Sequence, residues 1–303
     1  MNLEGWLPAD VVVRAGGRRI AWTLRGREPL RESSFEQTLQ DQMAKPFHQL
    51  FRRETSLEAM AAWVENHPPA PLRGIVFHTA HCGSRALARF LANNGKNRVA
   101  AQPTPLDSLL RLGLPNLPRS TQVVWLRAMA GALGQPQAAE RASFLLLHPW
   151  HIHSIDLFRE AFPETPWIFL YDEPVAWLQS ILRNPPMWTI PSLLPPEELR
   201  LELCDWLPQR PEIYPARALT AMYRASLDAV RTHSQGLLIN RGVDNGAAHS
   251  RVARHFGLEA KDVLPSQGRE ASHTNLLAGD SRLRDVANEY LQGLYEELEA
   301  LRR

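Results

Sequence analysis

Five short apolar runs, at residues 74 to 79, 98 to 102, 143 to 148, 167 to 171 and 236 to 240, are separated by stretches whose apolar residues recur at helical spacing. Continuous apolar runs suit strands buried on both faces, and their alternation with helices predicts a parallel sheet covered on both sides. The expected fold is α/β, a three-layer sandwich around a mostly parallel five-stranded sheet. Such sheets bind ligands beyond the carboxyl ends of their strands. His81, His148 and Asp172 each follow a strand end, so three segments far apart in sequence are expected to meet at one crevice.

The first of these runs carries the strongest local signal. In Gly74-Ile-Val-Phe-His-Thr-Ala-His-Cys-Gly-Ser-Arg-Ala-Leu-Ala-Arg-Phe-Leu91 an apolar run breaks at a glycine and restarts with helical spacing. A strand, tight turn and helix in that order aim the first helical N–H groups and the positive end of the helix dipole at one spot, a seat for phosphate or sulfate. The GxxxxGK[ST] pattern is missing, so the lysine and magnesium-binding hydroxyl of ordinary ATPases and GTPases have no counterpart here.

Ile75 to Leu87 resembles the first loop of bacterial sulfotransferases, in which a strand ending in Phe-His-Thr is followed by Arg-Cys-Gly-Ser-Thr-Leu. Phe77, His78, Thr79, Cys82, Gly83, Ser84 and Leu87 keep that order. A second likeness is Phe162-Pro-Glu-Thr-Pro-Trp-Ile-Phe-Leu-Tyr171 running into Asp172-Glu173-Pro174 and Ser180, where the family has a Phe-Pro turn, an aromatic strand, Arg-Asp-Pro-Val and a serine. Weaker echoes at Gly236 to Asn240, His255 to Gly257 and Leu294-Tyr295 extend it over roughly residues 70 to 303.

The resemblance implies a P-loop sulfotransferase-like domain over 71–303 that takes a sulfuryl group from PAPS to a hydroxyl or amine of a small molecule or peptide. His81, Cys82, Gly83, Ser84, Arg85 and Ala86 would hold the phosphosulfate end of the donor. Ser180 would meet its 3′-phosphate. Three charged positions depart from the family pattern: His81 replaces the loop arginine, Arg85 a threonine, and Asp172 the nucleotide-binding arginine. Arg183, three residues past Ser180, is the candidate replacement cation. The alternative reading of Asp172 is a degenerate fold serving as a non-catalytic accessory or partner protein in a biosynthetic pathway. A second alternative pairs Asp172 with Glu173 as caps for the next helix.

His148-Pro-Trp-His151-Ile-His153 follows the third run. Neutral imidazole is well suited to take a proton from an acceptor hydroxyl, and His151 is the candidate base with His148 as an anion contact; either also fits as a satisfied core histidine. No Cys-x-x-Cys or His-Glu-x-x-His backs these histidines, so no metal is expected. Cys82, at a helix start, is expected to have a lowered pKa but has no resolving cysteine nearby.

Residues 1 to 70 form a small N-terminal extension. Val11-Val-Val-Arg14 and Ile20-Ala-Trp-Thr-Leu24 around Gly16-Gly17 predict a β-hairpin, and Phe35 to Phe51 and Leu57 to Val64 predict helices that end at His67-Pro-Pro-Ala-Pro71. Downstream, Asn184 to Pro196 is a proline-rich excursion, a candidate lid or acceptor loop expected to present Trp188, followed by a helix near 197 to 207. Pro215 to Val230 and Leu283 to Leu301 read as long amphipathic helices that pack on the sheet or form a homodimer seam.

The 34 basic and 32 acidic side chains leave a net charge of +2, which supplies no broad attraction to nucleic acid or an anionic membrane. Residues 1 to 30 carry no signal-peptide core and no apolar run of membrane-spanning length. Two cysteines, Cys82 and Cys204, make no disulfide framework, and the expected location is the cytoplasm.

Overall fold

The computed structural model describes residues 2–25, 35, 39, 53–93, 95–137, 139–202, 210–244, 247–258 and 281–302. Cys204, most of the helix expected over 35–51 and residues 203–207 of the one expected near 197 to 207 lie outside these residues. The chain opens with β1 (Trp6–Arg14) and β2 (Gly17–Leu24), an antiparallel hairpin that β3 (Arg53–Ser56) extends into a three-stranded sheet. The turn closes with Arg14 opposite Gly17, whose φ of 106° is open only to glycine at little cost. Helix α1 (Leu57–Asn66) begins where the Ser56 side chain accepts from the Ala59 N–H, and the proline run stops it.

Five parallel strands follow: β4 (Leu72–His78), β5 (Asn97–Ala101), β6 (Ala142–Leu146), β7 (Trp167–Tyr171) and β8 (Gly236–Asn240), in the spatial order β5-β6-β4-β7-β8. All four pairings are parallel, as the apolar runs predict. The crossover from β4 leads to one side and that from β6 to the other, so the topological switch lies beside the central strand β4. Side chains alternate between two cores. Val76, Phe144, Leu146, Ile168 and Leu170 face α2 (Ser84–Ala92) and, introduced below, the helix Ala248–His255. Ile75, Phe77, Leu145, Trp167, Phe169 and Tyr171 face the opposite helical layer. Gly74 lies on the first face because a Cβ there would stand 2.7 Å from the Phe256 ring.

That opposite layer holds α3 (Thr104–Ser108), α4 (Arg119–Leu133), α5 (Ile155–Ala161), α6 (Pro174–Arg183) and α7 (Ile213–Thr232). The chain then forms the short α8 (Arg241–Asp244), α9 (Ala248–His255), α10 (Ser281–Tyr290) and α11 (Gln292–Arg302). The N-terminal sheet packs on α3 and the turn after it, sharing one core in which Leu7, Val11 and Ile20 join Leu106 and Leu109. Arg25 and Arg98 converge on Glu140 at 3.5 and 3.3 Å, a nearly dry triad that ties β2 to β5.

Three expectations change. The excursion after α6 buries Trp188 against Trp177, with ring centroids 6.3 Å apart, rather than presenting it; Met187, Ile190 and Leu193 are the exposed apolar residues there. The expected helix from Leu283 to Leu301 breaks at Leu291, which shifts the helical phase so that Leu298 is buried and Leu301 exposed. The helix expected near 197 to 207 opens instead as a 3₁₀ turn (Pro196–Leu199) that Arg200, at φ 56°, ends; β3, for its part, is too short and polar to be marked by an alternating pattern, and its pairing with β2 is a tertiary product.

Candidate functional site

The loop between β4 and α2 is bent by two non-glycine residues in the left-handed region, Ala80 (φ 62°) and His81 (φ 51°), and by Gly83 (φ 85°). Each L-residue held there costs about 1–2 kcal/mol, so the surroundings must over-determine the loop. They do. The Ala80 N–H donates to His78 Nδ1 at 2.9 Å, the Thr79 N–H donates to the Leu170 carbonyl at 3.1 Å, and Trp177 Nε1 donates to the Thr79 and Ala80 carbonyls at 3.0 and 3.1 Å. Ser180 Oγ lies 2.8 Å from His81 Nδ1. Helix α6 thus anchors the turn with two side chains, one of them the serine singled out in the sequence.

Helix α2 starts after Gly83 with no side-chain cap. Its first amides are the orphan donors every helix start carries, and no side chain of the cap satisfies those of Ser84, Arg85 and Ala86. Ser84 is buried, Arg85 exposed and Ala86 half-buried. Cys82 contributes only main chain: its Sγ is buried and donates to the Leu170 carbonyl at 3.3 Å. Burial pushes this thiol up to about 12, chiefly by desolvation, the reverse of the expected lowering; the aqueous thiolate cannot be stabilised where water is excluded.

The cation at this loop comes from β8. Tyr171 and Asn240 pair in register, so Asp172 and Arg241 leave adjacent strand ends side by side. Arg241 Nη1 stands 3.7 Å from Asp172 Oδ2 and donates to the His81 carbonyl at 3.4 Å. Its side chain crosses Gly83, where an added Cβ would meet Arg241 Cδ at 3.3 Å. Arg183, the candidate from the sequence, is exposed in the last turn of α6. Arg241 was missed because nothing in its neighbourhood marks it; only strand order joins it to a loop 160 residues earlier. Glu173 does cap α6, accepting from the Val175 and Ala176 N–H groups at 3.1 and 2.7 Å.

Beyond β6, next to β4, His148 caps the start of a 3₁₀ turn (Pro149–Ser154) that holds His151. His151 Nε2 is 2.9 Å from Asp107 Oδ1, and Trp150 Nε1 donates to the same oxygen at 2.8 Å. Arg111 Nη1 stands 3.4 Å from Asp107 Oδ2. Burial alone would raise Asp107; the hydrogen bond from His151, the electrostatic effect of His151 and then His148, and the Trp150 N–H outweigh that and hold the carboxyl well below the usual carboxylate range. Desolvation first, then His151, presses His148 down to about 3, so at neutral pH its ring is uncharged. His78, wholly buried at the end of β4, is likewise lowered to about 3 and lies 3.2 Å from Gln102 Nε2. Among the described residues no cluster of His, Cys, Asp and Glu suits a metal ion.

Strands β6, β4 and β7 are neighbours, and their carboxyl ends deliver the histidine pair, the anion-receptive loop and Asp172 to one edge of the sheet. Fold and site therefore define an α/β protein with an uncapped helix start at the mouth of its central strand. Solved structures similar to this chain include a sulfotransferase from Alicyclobacillus acidocaldarius, 15% identical with a TM-score of 0.46 over 77% of this chain and 96% of that one. Sulfotransferase STF9 from Mycobacterium avium is 13% identical, with a TM-score of 0.43 over 80% and 79% of the two chains. The sulfotransferase domain of the Synechococcus PCC 7002 olefin synthase is 16% identical, with a TM-score of 0.39 over 77% and 94%. No protein-family model matches the chain, and no curated protein matches it in sequence.

Proposed function

We propose that this protein is a sulfotransferase-like enzyme that uses PAPS to sulfate a hydroxyl or amine of a small molecule or peptide. The observation that carries the reading is the uncapped start of α2 with the Arg241 guanidinium laid across Gly83, one strand away from a histidine with an aspartate behind it. The donor's anionic end suits the amides of residues 82–86 and Arg241. Its 3′-phosphate suits Ser180 less well than in the family pattern, because Asp172 stands nearby in place of arginine; Arg241 offsets that carboxylate.

When bound, PAPS supplies the sulfuryl group: the acceptor oxygen or nitrogen bonds to sulfur, the bond from sulfur to the bridging phosphate oxygen breaks, and its electron pair leaves with adenosine 3′,5′-bisphosphate. The residues of this chain have two tasks. His151 takes the proton released by the acceptor, and the loop amides with Arg241 hold negative charge on the transferring and leaving groups, as preorganised donors that need not reorient during the reaction. A soluble cytoplasmic setting and an acceptor entering past the proline-rich excursion accompany this reading.

Calorimetric titration with PAPS and with adenosine 3′,5′-bisphosphate tests it, followed by transfer from radiolabelled PAPS to a panel of phenols, alcohols and amines. Saturable binding and labelled product are expected; no heat at millimolar ligand refutes it. The Asp172–Arg241 pair favours one second reading, a non-catalytic partner protein in which Arg241 is already neutralised by the protein. In that case the wild type binds neither nucleotide, and D172R creates binding.

A further inference from the structure

We propose that Asp107 is the positioning residue for His151, holding the ring with its hydrogen on Nε2 so that Nδ1 is the atom that receives the acceptor's proton. The identity of that acceptor rests on the sulfuryl-transfer reading; the state of the ring does not.

The two residues come from separate crossovers, Asp107 from the helix after β5 and His151 from the turn after β6, 44 positions apart, and both are buried. A carboxylate only accepts hydrogen bonds, and the two other groups at Asp107, the Trp150 indole N–H and the Arg111 guanidinium, only donate. Every neighbour therefore favours ionised Asp107. The ring nitrogen facing it must then carry the hydrogen, which in the neutral imidazole leaves the lone pair on the other nitrogen. That other nitrogen, His151 Nδ1, is buried and has no hydrogen-bond partner among the described residues. Buried polar atoms are satisfied in the great majority of cases, so an open lone pair behind a fully engaged carboxylate is the arrangement of a base awaiting its proton. Neighbouring rings fix its plane. Trp150 stands edge-on at 5.8 Å between centroids and His148 edge-on at 5.2 Å, while His148 and Trp150 stack on each other at 4.6 Å.

The sequence singles out His151 and His148 but not Asp107, which lies in an unremarkable Thr-Pro-Leu-Asp-Ser stretch. Arg111 in turn bridges Asp107 to Glu198 at the far side of the proline-rich excursion, 3.2 Å from Oε1, which links the carboxylate behind the ring to that segment.

The test is D107N, which puts an amide donor where the ring N–H donates. Nitrogen-15 correlation spectra of the imidazoles, with His151 assigned by its loss in H151Q, report the tautomer directly. Wild type is expected to carry the hydrogen on Nε2 and D107N to shift it to Nδ1; kcat for transfer falls about 10²- to 10⁴-fold while the affinity for adenosine 3′,5′-bisphosphate stays within two-fold, and D107E recovers part of the rate. A wild-type ring with hydrogen on Nδ1 overturns the proposal even should D107N fail to fold. A folded D107N with the wild-type tautomer overturns it too. Absence of transfer in the wild type refutes the sulfuryl-transfer reading instead, and the spectra still decide whether Asp107 orients the ring.

Discussion

Replacing Arg241 by glutamine should cost the protein most of its anion affinity, because that side chain is the cation that the fold lays across the loop. An anion seated on the amides of residues 82–86 would touch the guanidinium at a charge separation of about 4 Å, worth about 4 kcal/mol at an effective dielectric constant of 20. The Arg241 side chain is 19% exposed, and solvent screening reduces this to about half. Its loss also removes the counter-charge that stands 3.7 Å from Asp172, only 10% exposed, and that carboxylate repels the same anion. Together the two effects amount to about 2–3 kcal/mol, or roughly a 30- to 150-fold rise in Kd. Titration calorimetry of R241Q against adenosine 3′,5′-bisphosphate, with inorganic pyrophosphate in parallel, measures it. D172N should bind more tightly than wild type, and the double variant R241Q/D172N should fall between the singles because the two charges act on the same ligand. If R241Q binds within two-fold of wild type, the assignment of Arg241 to the anion site is wrong.

Three further outcomes follow from buried groups. E140A strands Arg25 and Arg98 in a dry environment and should lower stability by about 3–5 kcal/mol in urea unfolding; a loss under 1 kcal/mol would show the triad to be solvated. Cys82, lifted to about 12 and sealed under the loop, should resist alkylation at pH 8 in the native protein and react once unfolded, read by mass spectrometry of its own peptide; rapid native labelling would contradict the burial. His78 and His148 at about 3 and His153 at about 4 are depressed from 6.5, so the unfolded chain binds protons that the folded one refuses as pH falls from about 6.5 toward 3. Each should remove up to about 1.4 kcal/mol of stability per pH unit below about 6.5, His153 down to about pH 4 and the other two to about pH 3, and a urea midpoint unchanged between pH 7 and pH 5 would refute the neutral, buried assignment.

What the sequence determined by itself is whatever neighbouring residues decide together. The five strands, the turn into α2, the hairpin, the proline stop after α1 and the Glu173 cap all depend on contacts within a few positions, where apolar period, glycine freedom and capping chemistry act directly. Tertiary structure decided which cation and which carboxylate complete the site. Arg241 reaches His81 and Asp107 reaches His151 only because strand order brings their ends together, and a lone arginine or aspartate outside any motif carries no local mark of that meeting. The same reason underlies the buried Trp188, the exposed Arg183 and the raised Cys82 thiol: burial and the local dielectric are properties of the packed assembly, whereas the sequence supplies only the residue and its immediate neighbours.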